Sequence, residues 1–168
     1  MGYNGLKKSW IFPGQASQFV GMGKDLFDST EIGKKYYNLA NDILEFDIQD
    51  ISFNGPEEKL KITKYTQPAI FIVSSVISHL LIENGHVPGC VAGHSLGEYS
   101  ALTAAGGISF ETGLELVKIR SNSMDKAGIT NPGTMAAIIG LNMDSVVKLA
   151  NSITVSYTHL RAHETVRN

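Results

Sequence analysis

The sequence is poor in several features that would exclude or assign whole classes of protein. One cysteine, Cys90, stands in 168 residues, so an internal disulfide is excluded and a reducing, cytoplasmic location is expected. Basic and acidic residues nearly balance, at 14 and 16, without a basic block, which argues against a nucleic-acid partner. Signal-peptide, repeat and linker patterns are missing. Polar residues interrupt the longest apolar run, Ala69 to Ile82, which predicts a buried helix and no membrane span.

What remains is an ordinary globular composition, with 43% hydrophobic and 18% charged residues. A chain of this length can bury the core of one domain, or of one domain and part of another.

The most informative stretch is residues 93–97, which reads G-x-S-x-G with Ser95 at its centre. A short apolar run over 90–92 leads into it, and a helical pattern from Leu96 to Ala105 leads out. In this strand–turn–helix context the pattern is typical of a nucleophile elbow, where the serine hydroxyl stands clear of the sheet. The N–H of Leu96 would lie at the helix N-terminus and could stabilise an oxyanion. The competing interpretation is a loop serine between glycines.

The rest of the first 130 residues reads as one strand and several helices. A buried strand is predicted over 9–12, followed by a loop over 14–18. Thr30 and Ser109 are candidate helix caps, and Gly85 and Gly128 are candidate helix ends. One predicted helix face holds Ile32, Tyr36, Leu39 and Ile43. The patterns predict helices over about 31–44, 68–84 and 109–126, and short helical turns over 47–60 broken at 55–56.

Arg120 lies three residues after Val117, close to the apolar stripe of the helix that begins at 109. Phe110, Leu114 and Met124 complete that stripe. A guanidinium there must be paired or must line a cavity. Spacing alone leaves open an arginine that reaches solvent or forms a structural ion pair.

A new module is expected after a break over 128–133. Residues 134–140 read as a strand, Asn142 caps a helix from Met143 to about Ala150, and a further strand begins over 152–155.

Four segments in this order and spacing resemble the malonyl-CoA:acyl carrier protein transacylases of bacterial fatty acid synthesis. The resemblance runs from about Ser9 to about Thr154 and is far more specific than G-x-S-x-G alone. The segments are F-P-G-Q-A-S-Q over 12–18, T-Q-P-A over 66–69, G-H-S-L-G-E-Y-S-A-L over 93–102 and M-A-A-I-I-G over 135–140.

This resemblance implies an α/β fold with an α/β-hydrolase-like large subdomain, incomplete here over 1–128, and the start of a ferredoxin-like subdomain over 133–154. It implies transfer of malonyl from malonyl-CoA to the phosphopantetheine thiol of acyl carrier protein. No cofactor or metal is implied, and a cytoplasmic monomer is expected, without membrane or nucleic-acid partners.

The resemblance also implies roles for individual residues. Ser95 is the nucleophile that carries malonyl as an ester, and the N–H groups of Gln15 and Leu96 form the oxyanion hole. Arg120 binds the malonyl carboxylate. His94 is expected to support the site from beside the nucleophile and not to act as the base.

The sequence departs from the family pattern at two places. Ala16 stands where the family usually has glycine, at a cost on the order of a kcal/mol if that position needs a positive φ. The family base is a histidine far downstream, which is absent from this chain, so we expect the chain to be an inactive piece. Its other histidines are His79, His86, His159 and His163.

Residues 155–168 break the family pattern and resemble the translation of a transposase sequencing adapter. We therefore expect a non-native tail, the alternative being a divergent but genuine C-terminus.

Three other functions remain open: an acyltransferase domain of a polyketide synthase, a serine esterase on the same scaffold, and a carrier-protein-binding fragment without activity. The esterase needs no arginine at position 120.

Overall fold

A computed structural model describes residues 8–130 and 138–152. The chain divides into two compact units, Met1–Pro132 and Gly133–Asn168. The elements of the first unit are β1 (Ser9–Phe12), α1 (Lys24–Ser29), α2 (Glu31–Leu44), α3 (Ile48–Asn54), α4 (Glu57–Leu60), α5 (Thr63–Glu83), β2 (Cys90–Gly93), α6 (Gly97–Ala104) and α7 (Phe110–Thr130). The second unit contains α8 (Met143–Ser152).

A small parallel sheet pairs the two strands of the first unit. Ser9 lies opposite Cys90, and Phe12 lies opposite Gly93, so both strands end at the same edge. The long connection between them carries five helices, as parallel pairing requires a crossover. The two strands predicted in the first unit and the predicted α/β class are confirmed, and the loops after β1 and β2 leave the sheet side by side.

Helix α5 is the centre of the core and packs against α2, α6 and α7. Among the described residues it alone is long and apolar enough to cross a membrane, but most of its apolar stretch is buried inside the fold. The predicted buried helix is therefore confirmed, although at 21 residues it is longer than the apolar run indicated.

The predicted start of this helix at Pro68 is wrong. The helix begins at Thr63, and Pro68 lies inside it. The first turns carry Thr66 and Gln67, which are polar and yet buried, so no apolar period marks them. Thr66 satisfies its hydroxyl by donating to the carbonyl of Leu60 at 2.5 Å.

The caps of α2 and α7 are as predicted, but two details differ. Thr30 Oγ1 accepts from the N–H of Gly33 at 3.0 Å, and Ser109 Oγ accepts from the N–H of Thr112 at 3.1 Å. The predicted face of α2 is only partly buried, because the helix is rotated so that its next positions, Tyr37, Ala40 and Leu44 among them, are the buried ones. Helix α7 continues through Gly128 to Thr130, since that glycine keeps a helical backbone.

In the second unit, α8 begins where predicted. Asn142 Oδ1 accepts from the N–H of Ser145 at 2.9 Å and caps the helix. Residues 138–140 of the predicted strand are not in a strand, and 134–137 lie outside the described residues. The second predicted strand does not begin at Ser152, which ends α8, and 153–155 lie outside as well. The ferredoxin-like subdomain and the proposed tail stay predictions.

Candidate active site

The turn between β2 and α6 holds Ser95 in a left-handed conformation, with φ of 55°. A side chain in this region is uncommon and marks a locally strained backbone. Two glycines allow the strand and helix to close around it. A Cβ on Gly93 would lie 2.0 Å from the carbonyl carbon of Gly97, and one on Gly97 would lie 2.2 Å from the carbonyl oxygen of Phe12. The structure therefore has the sharp strand–turn–helix geometry that the G-x-S-x-G pattern predicts.

The loop after β1 lies directly against this turn. A Cβ on Gly14 would lie 2.6 Å from the carbonyl oxygen of His94, and the N–H of His94 donates to the carbonyl of Phe12 at 3.0 Å. This close approach brings Gln15, the next residue, to the same edge of the sheet as Ser95. The role of Gln15 remains a prediction.

The backbone N–H groups of Gln15 and Leu96 are available as donors. Within residues 8–130 and 138–152, no hydrogen-bond acceptor engages either of them. The side-chain amide of Gln15 is held separately, by Thr63 Oγ1 at 3.2 Å. Leu96 is 1% exposed, so its apolar side chain anchors the turn while its N–H remains unused. Two unused donors in adjacent loops are what an oxyanion hole requires.

Ala16 has a φ of 85°, so the position where the family usually has glycine does need the left-handed region. Side-chain contacts hold the loop in this shape. The N–H of Ala16 donates to Gln18 Oε1 at 2.9 Å, and Ser17 Oγ donates to the carbonyl of Gly14 at 2.8 Å.

Arg120 reaches Ser95 from α7. Its Nη2 donates to Ser95 Oγ at 2.8 Å, and its Nη1 donates to Gln67 Oε1 at 2.5 Å. The guanidinium also lies over the ring of Tyr99, with its central carbon 5.9 Å from the ring centroid. The half-buried side chain lines the site and does not extend into solvent. The structure thus brings together Ser95 and Arg120, 25 residues apart in sequence.

Sequence reasoning gave no role to Gln67, which is 1% exposed and directly contacts the guanidinium. It lies in the T-Q-P-A segment, where a polar amide stands next to an apolar run. That position was the sequence signal that could have indicated a buried, functional side chain. An unpartnered amide would be costly there, so its burial requires partners.

The histidines that the structure describes do not assemble into a triad with Ser95. His79, on α5, contacts Tyr36 Oη at 3.2 Å and Glu83 Oε1 at 3.2 Å. His86 is exposed beyond the end of α5. His94 is exposed, and its ring lies against Gly14 in the loop after β1. A supporting role for His94 stays a prediction.

His159 and His163 lie outside the described residues. Among those that the structure describes, no group of three or more His, Cys, Asp or Glu side chains could hold a metal ion.

Comparison with known proteins gives consistent matches. The family model for the acyl transferase domain matches residues 9–161. The malonyl CoA-acyl carrier protein transacylase of Bacillus subtilis (strain 168) is 38% identical over 148 residues, which are 88% of this chain and 47% of that protein. The polyketide biosynthesis malonyl CoA-acyl carrier protein transacylase of the same strain is 42% identical over 141 residues, or 83% of this chain and 47% of that protein.

A solved structure is similar at the level of the fold as well. The crystal structure of the malonyl-CoA:ACP transacylase of Synechocystis sp. PCC 6803 has a TM-score of 0.80 and 43% identity, covering 89% of this chain and 49% of that one. The chain therefore spans about half the length of the relatives that it matches.

Proposed function

Because the chain belongs to the acyl transferase domain family, we propose that it carries the acyl-loading site of a malonyl-CoA:acyl carrier protein transacylase of fatty acid synthesis. The observation that carries this proposal is the 2.8 Å contact between Arg120 Nη2 and Ser95 Oγ. A cation beside a nucleophile suits an acyl group that ends in a carboxylate.

The proposed reaction has two transfers. Ser95 Oγ attacks the thioester carbonyl carbon of malonyl-CoA. The N–H groups of Gln15 and Leu96 stabilise the negative charge that develops on the carbonyl oxygen. The carbon–sulfur bond breaks, and coenzyme A leaves as the thiol after taking up a proton. The phosphopantetheine thiol of acyl carrier protein then attacks the Ser95 ester, which returns the serine hydroxyl. Neither transfer needs a cofactor or a metal.

Selectivity in this proposal depends on Arg120. A malonyl carboxylate can form a bidentate pair with the guanidinium, whereas an acetyl group leaves the cation without a charged partner. The same residue disfavours the esterase alternative, since a neutral ester gives the cation no role.

The proton that leaves Ser95 needs a base. The family resemblance assigns it to a downstream histidine, and the described His79 is held by Tyr36 and Glu83. We therefore propose that this chain alone transfers little malonyl, because the serine hydroxyl keeps low reactivity without a base.

A second candidate uses the same chemistry with a different carrier. The polyketide-biosynthesis relative is 42% identical to this chain, and the other malonyl CoA-acyl carrier protein transacylase of the same strain is 38% identical. An acyl carrier protein of polyketide synthesis is therefore the alternative acceptor. In either case we propose a monomer, because Ser95, Gln67 and Arg120 meet within one chain. We propose a cytoplasmic location because a single cysteine suits a reducing compartment.

The test is intact-mass analysis of the purified chain after incubation with malonyl-CoA, with and without added imidazole as a substitute base. We expect a malonyl ester that increases with imidazole and that maps to Ser95. Acetyl-CoA should load far less.

Two variants make the result specific. Ser95→Ala should abolish the adduct, whereas Ser123→Ala, an exposed serine on α7, should leave it unchanged. The proposal is wrong if folded protein gives no adduct with imidazole, or if the adduct persists in Ser95→Ala. Fatty-acid and polyketide carriers can then be compared as acceptors of the loaded malonyl group.

A further inference from the structure

Gln67 is the second hydrogen-bond partner of Arg120, and its uncharged amide leaves the arginine's positive charge unopposed. We propose that Gln67 is a positioning and specificity residue: it fixes the guanidinium beside Ser95 and, because it is neutral, reserves the positive charge for a substrate carboxylate. This inference rests on the proposed function and assigns the origin of its selectivity.

The contacts of Gln67 fix its orientation. Oε1 accepts from Arg120 Nη1 at 2.5 Å, and Nε2 donates to Met124 Sδ at 3.3 Å. Arginine can only donate and a thioether can only accept, so the amide has a single satisfactory orientation. The carbonyl therefore faces the guanidinium.

The support for this amide is rigid. Gln67 is 1% exposed and belongs to α5, the helix at the centre of the core. Its neighbours Thr66 and Ala69 are fully buried. A long side chain that is immobilised by packing can hold its partner in one geometry, as a selective site requires.

The charge of Arg120 is uncompensated within the described part of the chain. No carboxylate there lies within 4.0 Å of its nitrogens, and its contacts are the amide of Gln67, the hydroxyl of Ser95 and the ring of Tyr99. Lys118, two residues earlier on α7, is by contrast paired with Glu45 at 3.2 Å. A half-buried cation with only neutral partners strongly favours an anionic ligand.

A glutamate at position 67 would have nearly the same shape but would pair with Arg120 itself. An internal carboxylate would then compete with the malonyl carboxylate for the same guanidinium. Because this competition removes a charge-assisted hydrogen bond from the bound malonyl carboxylate, malonyl binding should weaken about tenfold or more. Acetyl binding should hardly change.

The first measurement is calorimetric titration of the 168-residue chain with malonyl-CoA and, separately, with acetyl-CoA. Wild type should bind malonyl-CoA more tightly, and Gln67→Glu should lose that preference about tenfold or more while its melting temperature stays equal or rises. Gln49→Glu makes the same change on α3, where the amide donates to Asn38 Oδ1, and should retain the preference. A retained preference in Gln67→Glu, or an equal loss for both thioesters, would overturn the inference.

The second measurement needs no ligand. The Nε–H signal of Arg120 in ¹⁵N relaxation NMR should show an ordered side chain in wild type and a mobile one in Gln67→Leu, which is apolar and has no hydrogen-bond acceptor in its side chain. An equally ordered Arg120 in that variant would overturn the positioning role. If wild type binds both thioesters equally, the proposed function fails together with the charge argument, and this signal decides the positioning role by itself.

Discussion

Ala16→Gly should stabilise the protein, although glycine normally destabilises ordered structure. Ala16 lies in the loop after β1, next to Gln15, and has a φ of 85°. Its Cβ is in a region that side chains rarely occupy, and it is exposed, so no packing compensates for the strain. Removing the Cβ should relieve this strain while the hydrogen bond from the Ala16 N–H to Gln18 remains.

Two opposing terms set the magnitude. A residue with a Cβ in the left-handed region costs about 1–2 kcal/mol. Glycine gains freedom in the unfolded chain, which offsets about 0.4–1 kcal/mol of that relief. The net expectation is a gain of about 0.5–1 kcal/mol in the free energy of unfolding. For a domain of this size each kcal/mol raises the melting temperature by about 2–4 °C.

The assay is urea unfolding of wild type, Ala16→Gly and the matched control Ala105→Gly. Ala105 is also exposed, but its φ is −79°, so only the unfolded-state term applies and the control should lose about 0.4–1 kcal/mol. Opposite signs for the two variants support the strain argument. If Ala16→Gly loses stability as Ala105→Gly does, the reasoning is refuted.

Three further predictions can be checked by the same unfolding measurements. Gly97→Ala should lose about 3 kcal/mol or more because its Cβ would meet the Phe12 carbonyl, whereas Gly128→Ala, in open space on α7, should gain about 0.5–1 kcal/mol. In β1, Phe12→Ala should cost about 3–5 kcal/mol, and Ile11→Thr should stay within about 0.5 kcal/mol, because these side chains are 6% and 79% exposed. Burial raises the pKa of the Tyr37 hydroxyl far above its ordinary value. The stability that its neutral form contributes is therefore complete below about pH 10 and decreases as the pH rises further. Tyr37→Phe should reduce this decrease.

The parts of the fold that follow from short-range rules could be predicted from the sequence. The caps at Thr30 and Ser109 and the strand into Gly93 depend on a few neighbouring residues, and the structure has them where expected. The start of α5 and the end of α7 could not be predicted in this way. Pro68 and Gly128 are typical helix boundaries, but buried residues on both sides of Pro68 carry α5 across it, and α7 continues to Thr130 through residues 126–130, which are exposed.

The candidate site shows the same difference between local patterns and long-range packing. The left-handed Ser95 follows from the G-x-S-x-G pattern, because the glycines that permit the turn are part of the pattern itself. The contact of Arg120 with Ser95 depends on how α7 packs on α5, and no local pattern encodes that packing. The family resemblance implied a carboxylate-binding role for Arg120, whereas the contact of Gln67 with Arg120 became visible only in the structure.

The placement of these groups also explains how one half-length segment can hold the proposed acyl site. Ser95 lies on the turn after β2, Gln67 on α5 and Arg120 on α7, and these helices pack against one another in the first unit. Each group is therefore fixed by the same core, so a shift of α7 against α5 would move the Arg120 guanidinium relative to both the Gln67 amide and the Ser95 hydroxyl. In the proposed function, selectivity for a carboxylate and the position of the Ser95 hydroxyl therefore depend on one packing arrangement, and substitutions at the α5–α7 contact should change both together.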